Sequence, residues 1–385
     1  MTQTRREFLQ ASGAVGLLGA LPNAGFAASE EMAVMAARPA RVQLAPSAYP
    51  QTEIWGYDGQ MPGPAIRLKQ GERVARRFVN ELPQASSVHW HGLRIDNAMD
   101  GVAGLTQDAV EPGNSFDYDF VAPDAGTFWF HAHNRSFEQV ARGLYGALIV
   151  EEPVAADVDR DEVLILDDWL LDPKTAQIDP EFEAPHDRSH AGRRGNYIAT
   201  NGRSGFTLPV KRNERLRLRL INAANARIFE LGLAGLKGWV MAYDGMPLAK
   251  PELVEGAFLL SPGERVDLFV DVVAESGDMA HLVRIDDQQQ YSQTTFTVAG
   301  DAAATPRADP APLPPNLNME IEDVETARRF RLNMEGGAMG GLNAAELNGE
   351  RNSFRQLAQA NQFWAFNGAV GMTDAPLARL SRRET

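Results

Sequence analysis

The stretch Val88-His89-Trp90-His91-Gly92, answered further on by Thr127-Phe128-Trp129-Phe130-His131-Ala132-His133, decides how this chain is read. Both pieces are short, aromatic and β-branched, and turn residues flank them, which is the signature of a β-strand. Side chains alternate across a strand, so His89 and His91 share one face while Val88 and Trp90 share the other. The same period puts His131 and His133 together, with Phe128 and Phe130 behind them. Two such strands side by side would bring four imidazoles into one small volume. Neutral imidazole is a common nitrogen ligand of Cu, Zn, Fe and Ni. The alternative is coincidence, with each histidine in an ordinary core or surface position. Seven histidines in 385 residues give roughly a tenth of one His-x-His pair at random. The chain has two, and the spacing favours a metal site.

The length allows two or three domains, each with a sizeable core. Hydrophobic content of 44% and charged content of 23% are ordinary for a soluble globular protein. A net charge of −14 argues against nucleic acid as a partner, because phosphate recognition needs a basic face. Acidity of this kind serves solubility. The 385 residues contain no cysteine, so disulfides, Cys-ligated zinc, thiol catalysis and any thiolate copper site are excluded within them.

Residues 1–27 read as a signal peptide. Thr4-Arg5-Arg6-Glu7-Phe8-Leu9 is a twin-arginine pattern, the apolar run Ala14 to Ala20 follows, and small residues from Ala24 to Ala28 suit cleavage. The pattern predicts delivery by the twin-arginine export machinery to the periplasm or cell envelope. A frayed apolar N-terminus is the competing reading. No other stretch approaches the roughly 18 apolar residues of a membrane span. Residues 28–40, rich in Ala and Met, are expected to be a flexible lead-in.

From 41 to 152 short apolar or alternating pieces are divided by Gly, Pro, Asn and Asp, which predicts an all-β sandwich or barrel. Gly143-Leu144-Tyr145-Gly146-Ala147-Leu148-Ile149-Val150 closes this unit as a buried strand. Residues 158–300 repeat it. Gly71-Glu72-Arg73-Val74-Ala75-Arg76-Arg77-Phe78-Val79-Asn80 aligns without gaps on Asn213-Glu214-Arg215-Leu216-Arg217-Leu218-Arg219-Leu220-Ile221-Asn222, and Asp58-Gly59 and Asn201-Gly202 precede the two at similar distances. The second copy has no paired histidines, only His186, His190 and His281. The first two, among Asp187, Arg188, Arg193 and Arg194, are expected in a solvated loop. Residues 301–345 begin Pro/Ala-rich and read as a linker. Within it Asn333-Met334-Glu335-Gly336-Gly337-Ala338-Met339-Gly340-Gly341 carries two thioethers, which can bind Cu(I) but in a glycine loop are more often incidental. Asn367-Gly368 then opens the pattern a third time, so 346–385 is expected to be the incomplete start of a third copy, unable to bury a core alone.

These residues resemble the multicopper oxidases, in particular their bacterial laccase-like and copper-resistance group. The resemblance runs from about residue 41 to the end. It rests on His89-Trp90-His91-Gly92, Met99-Asp100-Gly101-Val102, Phe128 to His133, Gly143-Leu144-Tyr145-Gly146 and Ser261-Pro262-Gly263-Glu264-Arg265-Val266-Asp267. It implies tandem cupredoxin-like (plastocyanin-like) Greek-key β-sandwich domains. It also implies copper: His89 at the type 2 ion, and His91, His131 and His133 at the type 3 pair. Asp100 matches the acidic residue that delivers protons to bound oxygen, although an aspartate before Gly101 is also a plain turn residue. The activity implied is oxidation of phenols or of Cu(I), with O₂ reduced to water. The chain departs from the family by lacking the His-x-x-His-x-His and His-Cys-His runs of the third domain. The type 1 site and half of the trinuclear site are thus absent, and the sequence reads as the first two-thirds of such a protein, a fragment or a broken gene, inactive alone. A copper-binding or sequestering protein without turnover is one competing reading. A structural cupredoxin-fold envelope protein is another, though it has no need of four retained histidines.

Overall fold

Strands β1 (Ala33–Val42), β2 (Thr52–Tyr57), β3 (Gly63–Lys69), β4 (Arg73–Asn80), β5 (Val88–His91), β6 (Ser115–Val121), β7 (Gly126–Ala132) and β8 (Tyr145–Glu151) build the first sandwich. The computed structural model describes residues 32–316 and 324–371, so the predicted signal peptide 1–27 and the last residues of the expected third copy, 372–385, lie outside the described residues. One sheet runs β2-β1-β4-β6 and the other β3-β8-β7-β5. Alternate residues of both, among them Ala37, Val74, Phe78, Trp90, Tyr118, Phe128, Phe130 and Leu148, fill the space between them. The expected lead-in is in fact mostly strand. β1 begins at Ala33, pairs antiparallel with β2, and buries Met35, Ala36 and Ala37. Alanine and methionine are weak strand formers, and here burial overrides propensity.

The second sandwich contains β9 (Arg160–Trp169), β10 (Tyr197–Thr200), β11 (Thr207–Arg212), β12 (Arg215–Asn222), β13 (Phe229–Ala234), β14 (Leu236–Tyr243), β15 (Met246–Leu253), β16 (Phe258–Leu260), β17 (Arg265–Val272), β18 (Met279–Asp286) and β19 (Gln289–Asp301). Its sheets are ordered β10-β9-β12-β17-β14-β15 and β11-β19-β18-β13-β16. β8 and β9 are buried on both faces, which explains their unbroken apolar runs. Leu148 and Val150 enter the first core and Leu164 and Leu166 the second. Tyr145, Ala147, Ile149, Ile165 and Trp169 meet in an apolar layer between the sandwiches.

The aligned strands β4 and β12 use their arginines differently. On β4, Arg73 and Arg77 reach exposed Asp119 and Asp117 of the neighbouring edge strand. β12 is central, and Arg215, Arg217 and Arg219 are each 1% exposed. Arg217 makes a two-pronged pair with Glu152 at 2.9 Å and 2.9 Å and bonds Asp267 as well. Arg219 reaches Thr127 Oγ1 at 3.0 Å and Asp161 at 2.8 Å. Glu152 and Thr127 belong to the first sandwich, so this ionic network joins the two and grips β7 just upstream of its histidine.

The proline-rich stretch is laid along the protein. Ala308 O accepts from Arg215, Leu313 packs with Trp239, Met241 and Phe269, and Asn316 bonds Ala125 and Gly245. Beyond it, β20 (Met334–Gly336) pairs with β23 (Trp364–Phe366), and β21 (Ala344–Leu347) with β22 (Glu350–Ser353). This segment starts before residue 346 and, against expectation, encloses a small core of Leu342, Ala345, Leu357, Ala365 and Val370. It does so because the β21–β22 hairpin, the β20–β23 pair that brackets it and the helix 354–359 close on one another. The Asp58-Gly59, Asn201-Gly202 and Asn367-Gly368 turns share one geometry. In each, both residues have positive φ, and the flanking residues bridge: Tyr57–Gln60, Thr200–Arg203 and Phe366–Ala369. Two consecutive left-handed residues are what a tight hairpin turn demands.

Among the described residues no helix is long and apolar enough to cross a membrane.

Candidate metal centre

β5 and β7 are adjacent and antiparallel, and their register sets His89 directly opposite His131 and His91 opposite Trp129. Trp90, Phe128 and Phe130 point into the first core, so the period of two leaves His89, His91, Trp129 and His131 on the other face. His133 follows just past the end of β7. The His89 ring lies 5.5 Å from that of His91, 5.3 Å from His131 and 5.1 Å from His133, centre to centre. One nitrogen from each of His89, His91 and His131 falls within 4.8 Å of the others. The structure thus brings all four histidines together. His186, His190 and His281 are elsewhere.

Hydrogen bonds fix which nitrogens face the site. His89 Nδ1 is 2.8 Å from the Asp100 carbonyl and His131 Nδ1 is 3.0 Å from the Ala132 carbonyl. A carbonyl only accepts, so both Nδ1 atoms carry the proton and both Nε2 atoms keep a free lone pair. His91 is turned the other way, with Nδ1 3.2 Å from His131 Nε2. Two nitrogens each about 2.0 Å from one ion at a tetrahedral angle lie about 3.3 Å apart. The pair therefore has the spacing of two ligands to one ion. An all-imidazole set suits Cu, Zn, Fe or Ni.

The surroundings favour the neutral form of His91, His131 and His133, as ligation requires. Burial pushes His91 down to about 3, helped by the Arg265 guanidinium and by the positive charge His89 and His133 would carry. Burial also holds His131 well below the usual imidazole value and lowers His133, the latter with a contribution from His89. The Trp129 ring lies tilted against two of them, centred 4.3 Å from the His131 ring and 5.1 Å from that of His91.

Asp100 sits at the back of His89. Its carboxylate is 3.4 Å from His89 Nδ1, on the far side from the free Nε2. The loop can come this close because Gly101, at φ +79°, has no side chain: a Cβ there would lie 1.7 Å from the Val88 carbonyl oxygen. The Asp-Gly pair is thus a positioning device as well as a turn.

The sequence reading missed the second sandwich's share of the site. The pocket around the four histidines is walled by Ala223, Ala224, Asn225, Pro262 and Gly263, as well as by Phe137 and Val140. Arg265, 4% exposed, lies against Gly92, where an added Cβ would meet its guanidinium at 2.4 Å. The available signal was the motif Ser261 to Asp267, which carries Pro262, Gly263 and Arg265 together.

Sequence profiles described as multicopper oxidase match residues 40–155 and 160–301. Copper resistance protein A of Pseudomonas syringae pv. tomato is 28% identical over 80% of this chain and 59% of its own length. Multicopper oxidase MmcO of Mycobacterium tuberculosis is 30% identical over 82% of this chain and 66% of its own. The chain thus spans less than two thirds of these relatives. Among solved structures, Lac15 from a marine microbial metagenome is 41% identical, with a TM-score of 0.65, covering 74% of this chain and 71% of that one. A multi-copper oxidase from Pseudomonas thermotolerans is 35% identical, with a TM-score of 0.72 and coverage of 78% and 71%.

Proposed function

The chain belongs to the multicopper oxidase family, and from that premise we propose that His89, His91, His131 and His133 hold copper for the reduction of O₂. His89 would serve a type 2 ion and His91, His131 and His133 a type 3 pair. The observation that carries this reading is the 3.2 Å approach of His91 Nδ1 and His131 Nε2, the spacing that two nitrogen ligands of one ion would have. Copper, when bound, supplies one-electron redox centres, which the four-electron reduction of O₂ to water requires.

The protein's own residues have definable tasks. The Asp100 and Ala132 carbonyls orient His89 and His131. Arg265 beside His91 disfavours protonation of that ring and so favours ligation. Pro262, Gly263 and Trp129 shield the rings from bulk water. The Asp100 carboxylate, touching His89 from behind, holds that ring and delivers protons toward the site. The electron donors are phenols or Cu(I), with O₂ as acceptor, and the twin-arginine pattern at Arg5-Arg6 directs export to the periplasm. One observation favours copper binding without turnover for these residues alone: no cysteine is present, so they supply no thiolate for a type 1 site.

Equilibrium dialysis of the purified chain against Cu(II) tests the ligand set. The parent chain is expected to retain copper and His89→Ala/His131→Ala to lose most of it. Full retention by the double variant would end the assignment.

A further inference from the structure

Three histidines remain outside this cluster, and for two of them, His186 and His190, the structure gives unexpected company. His186 lies on the short helix α2 (Pro185–Ser189; α1 is Ser136–Gln139), and His190 is the residue that ends it. Four residues apart on a helical turn, the rings face the same way and stack with centres 4.1 Å apart. Both residues are exposed. His190 Nδ1 is 2.9 Å from the His186 carbonyl and 2.9 Å from Ser189 Oγ. The carbonyl only accepts, so the proton is on Nδ1 and the Nε2 lone pair is free. Among the described residues neither ring nitrogen of His186 makes a hydrogen bond. Glu183, just before the helix, is paired with Arg135 and Arg188.

The glycine loop that carries two methionines hangs on this same helix. Ala338 N donates to the Ser189 carbonyl at 2.7 Å, between the two histidines in sequence. Trp364 Nε1 donates to the Arg188 carbonyl at 2.8 Å, and Asn361 Nδ2 to that of Glu183 at 2.9 Å. The residue after this anchor is Met339, which is 97% exposed. Methionine is normally buried, and here nothing packs against its thioether.

We propose that His186, His190 and Met339 form a surface site for a cuprous ion. Histidines four apart on a helix present two imidazoles to one ion. A thioether adds a soft donor that Cu(I) accepts and that harder ions such as Mg²⁺ or Ca²⁺ do not. The anchoring bonds are made by backbone carbonyls, so the loop is brought to the helix while the donor side chains stay free. The site goes beyond the four-histidine cluster and does not depend on it. It is also the only proposed role for this pair, which the sequence alone suggested to be solvated loop residues.

The test is an anaerobic titration of the full chain with Cu(I) against bicinchoninate, in a His89→Ala/His131→Ala background that disables the other cluster. One equivalent of Cu(I) is expected to remain. Changing hydrogen-bonded neighbours of a metal ligand already costs roughly 10–100-fold in affinity, so His186→Ala is expected to weaken binding by tenfold or more. Met339→Leu is expected to weaken Cu(I) and leave Zn(II) affinity unchanged. Neither variant removes a hydrogen bond or a buried contact, so the melting temperature should hold and report intact folding. Absence of the remaining equivalent, or unchanged Cu(I) affinity in either variant, would overturn the site.

Discussion

Arg217→Ala tests how the two sandwiches are held together. The guanidinium is 1% exposed, bonds both oxygens of Glu152 at 2.9 Å, and also bonds Asp267. Removing it strips Glu152 of its two-pronged partner and leaves Asp267 with the Thr127 hydroxyl and with Arg219 at 3.5 Å. Deleting one partner of a buried ion pair costs about 3–5 kcal/mol, because the stranded charge loses its compensation. For a cooperative unit of roughly 140 residues, 1 kcal/mol moves the midpoint by about 3 °C, so scanning calorimetry should show a fall of about 10–15 °C. Arg217→Met combined with Glu152→Gln removes the stranded charge on one side and should recover at least half of that loss. Arg77→Ala, at the aligned position of β4 plus two residues, breaks only a solvent-exposed pair and should leave the transition unmoved. A melt of Arg217→Ala within about 2 °C of the parent (roughly 0.7 kcal/mol on the same scale) would refute the reasoning and assign the interface to the apolar layer alone.

Three further outcomes are expected. Gly101→Ala must move the loop away from Val88 and out of its positive φ, at a cost of about 2 kcal/mol or more. It should lower copper affinity with stability because His89 loses the Asp100 carbonyl, whereas Asp100→Ala keeps that carbonyl and should bind copper within a few-fold of the parent. Stability of the metal-free chain should fall with pH: the unfolded histidines take protons near about 6.5, while folded His91, His131 and His133 resist them. Stability is thus fully present above that value and lost toward the His91 value of about 3, by about 1.4 kcal/mol per pH unit for each such ring at most, as urea midpoints across pH 7 to 4 would report. Copper-loaded chain should show no intense thiolate band in the visible spectrum, since these 385 residues hold no cysteine; such a band would contradict the ligand chemistry.

The convergence of the four histidines was legible because a strand's period is two and the phenylalanines between them had to face a core. That His89 and His131 lie opposite one another was not, because register depends on which strands are neighbours. Arg265 was quoted in a motif but given no place at the site, because it reaches Gly92 only once two distant segments pack. β1 was missed because its alanines carry no strand signal until they are buried. The arginines of β4 and β12 make the same pattern in the sequence and opposite uses of charge in the fold, since one strand lies beside an exposed edge and the other at the centre of a sheet. An imidazole's ordinary pKa would place the loss of metal binding near pH 6.5; burial, readable only from the packed structure, moves it lower.

The central claim is that copper sits among the histidines of β5 and β7. Diffraction from copper-loaded crystals at the copper absorption edge tests it directly. The account predicts an anomalous peak about 2 Å from both His91 Nδ1 and His131 Nε2. Crystals that carry copper at other positions but show no peak between these two nitrogens would contradict it.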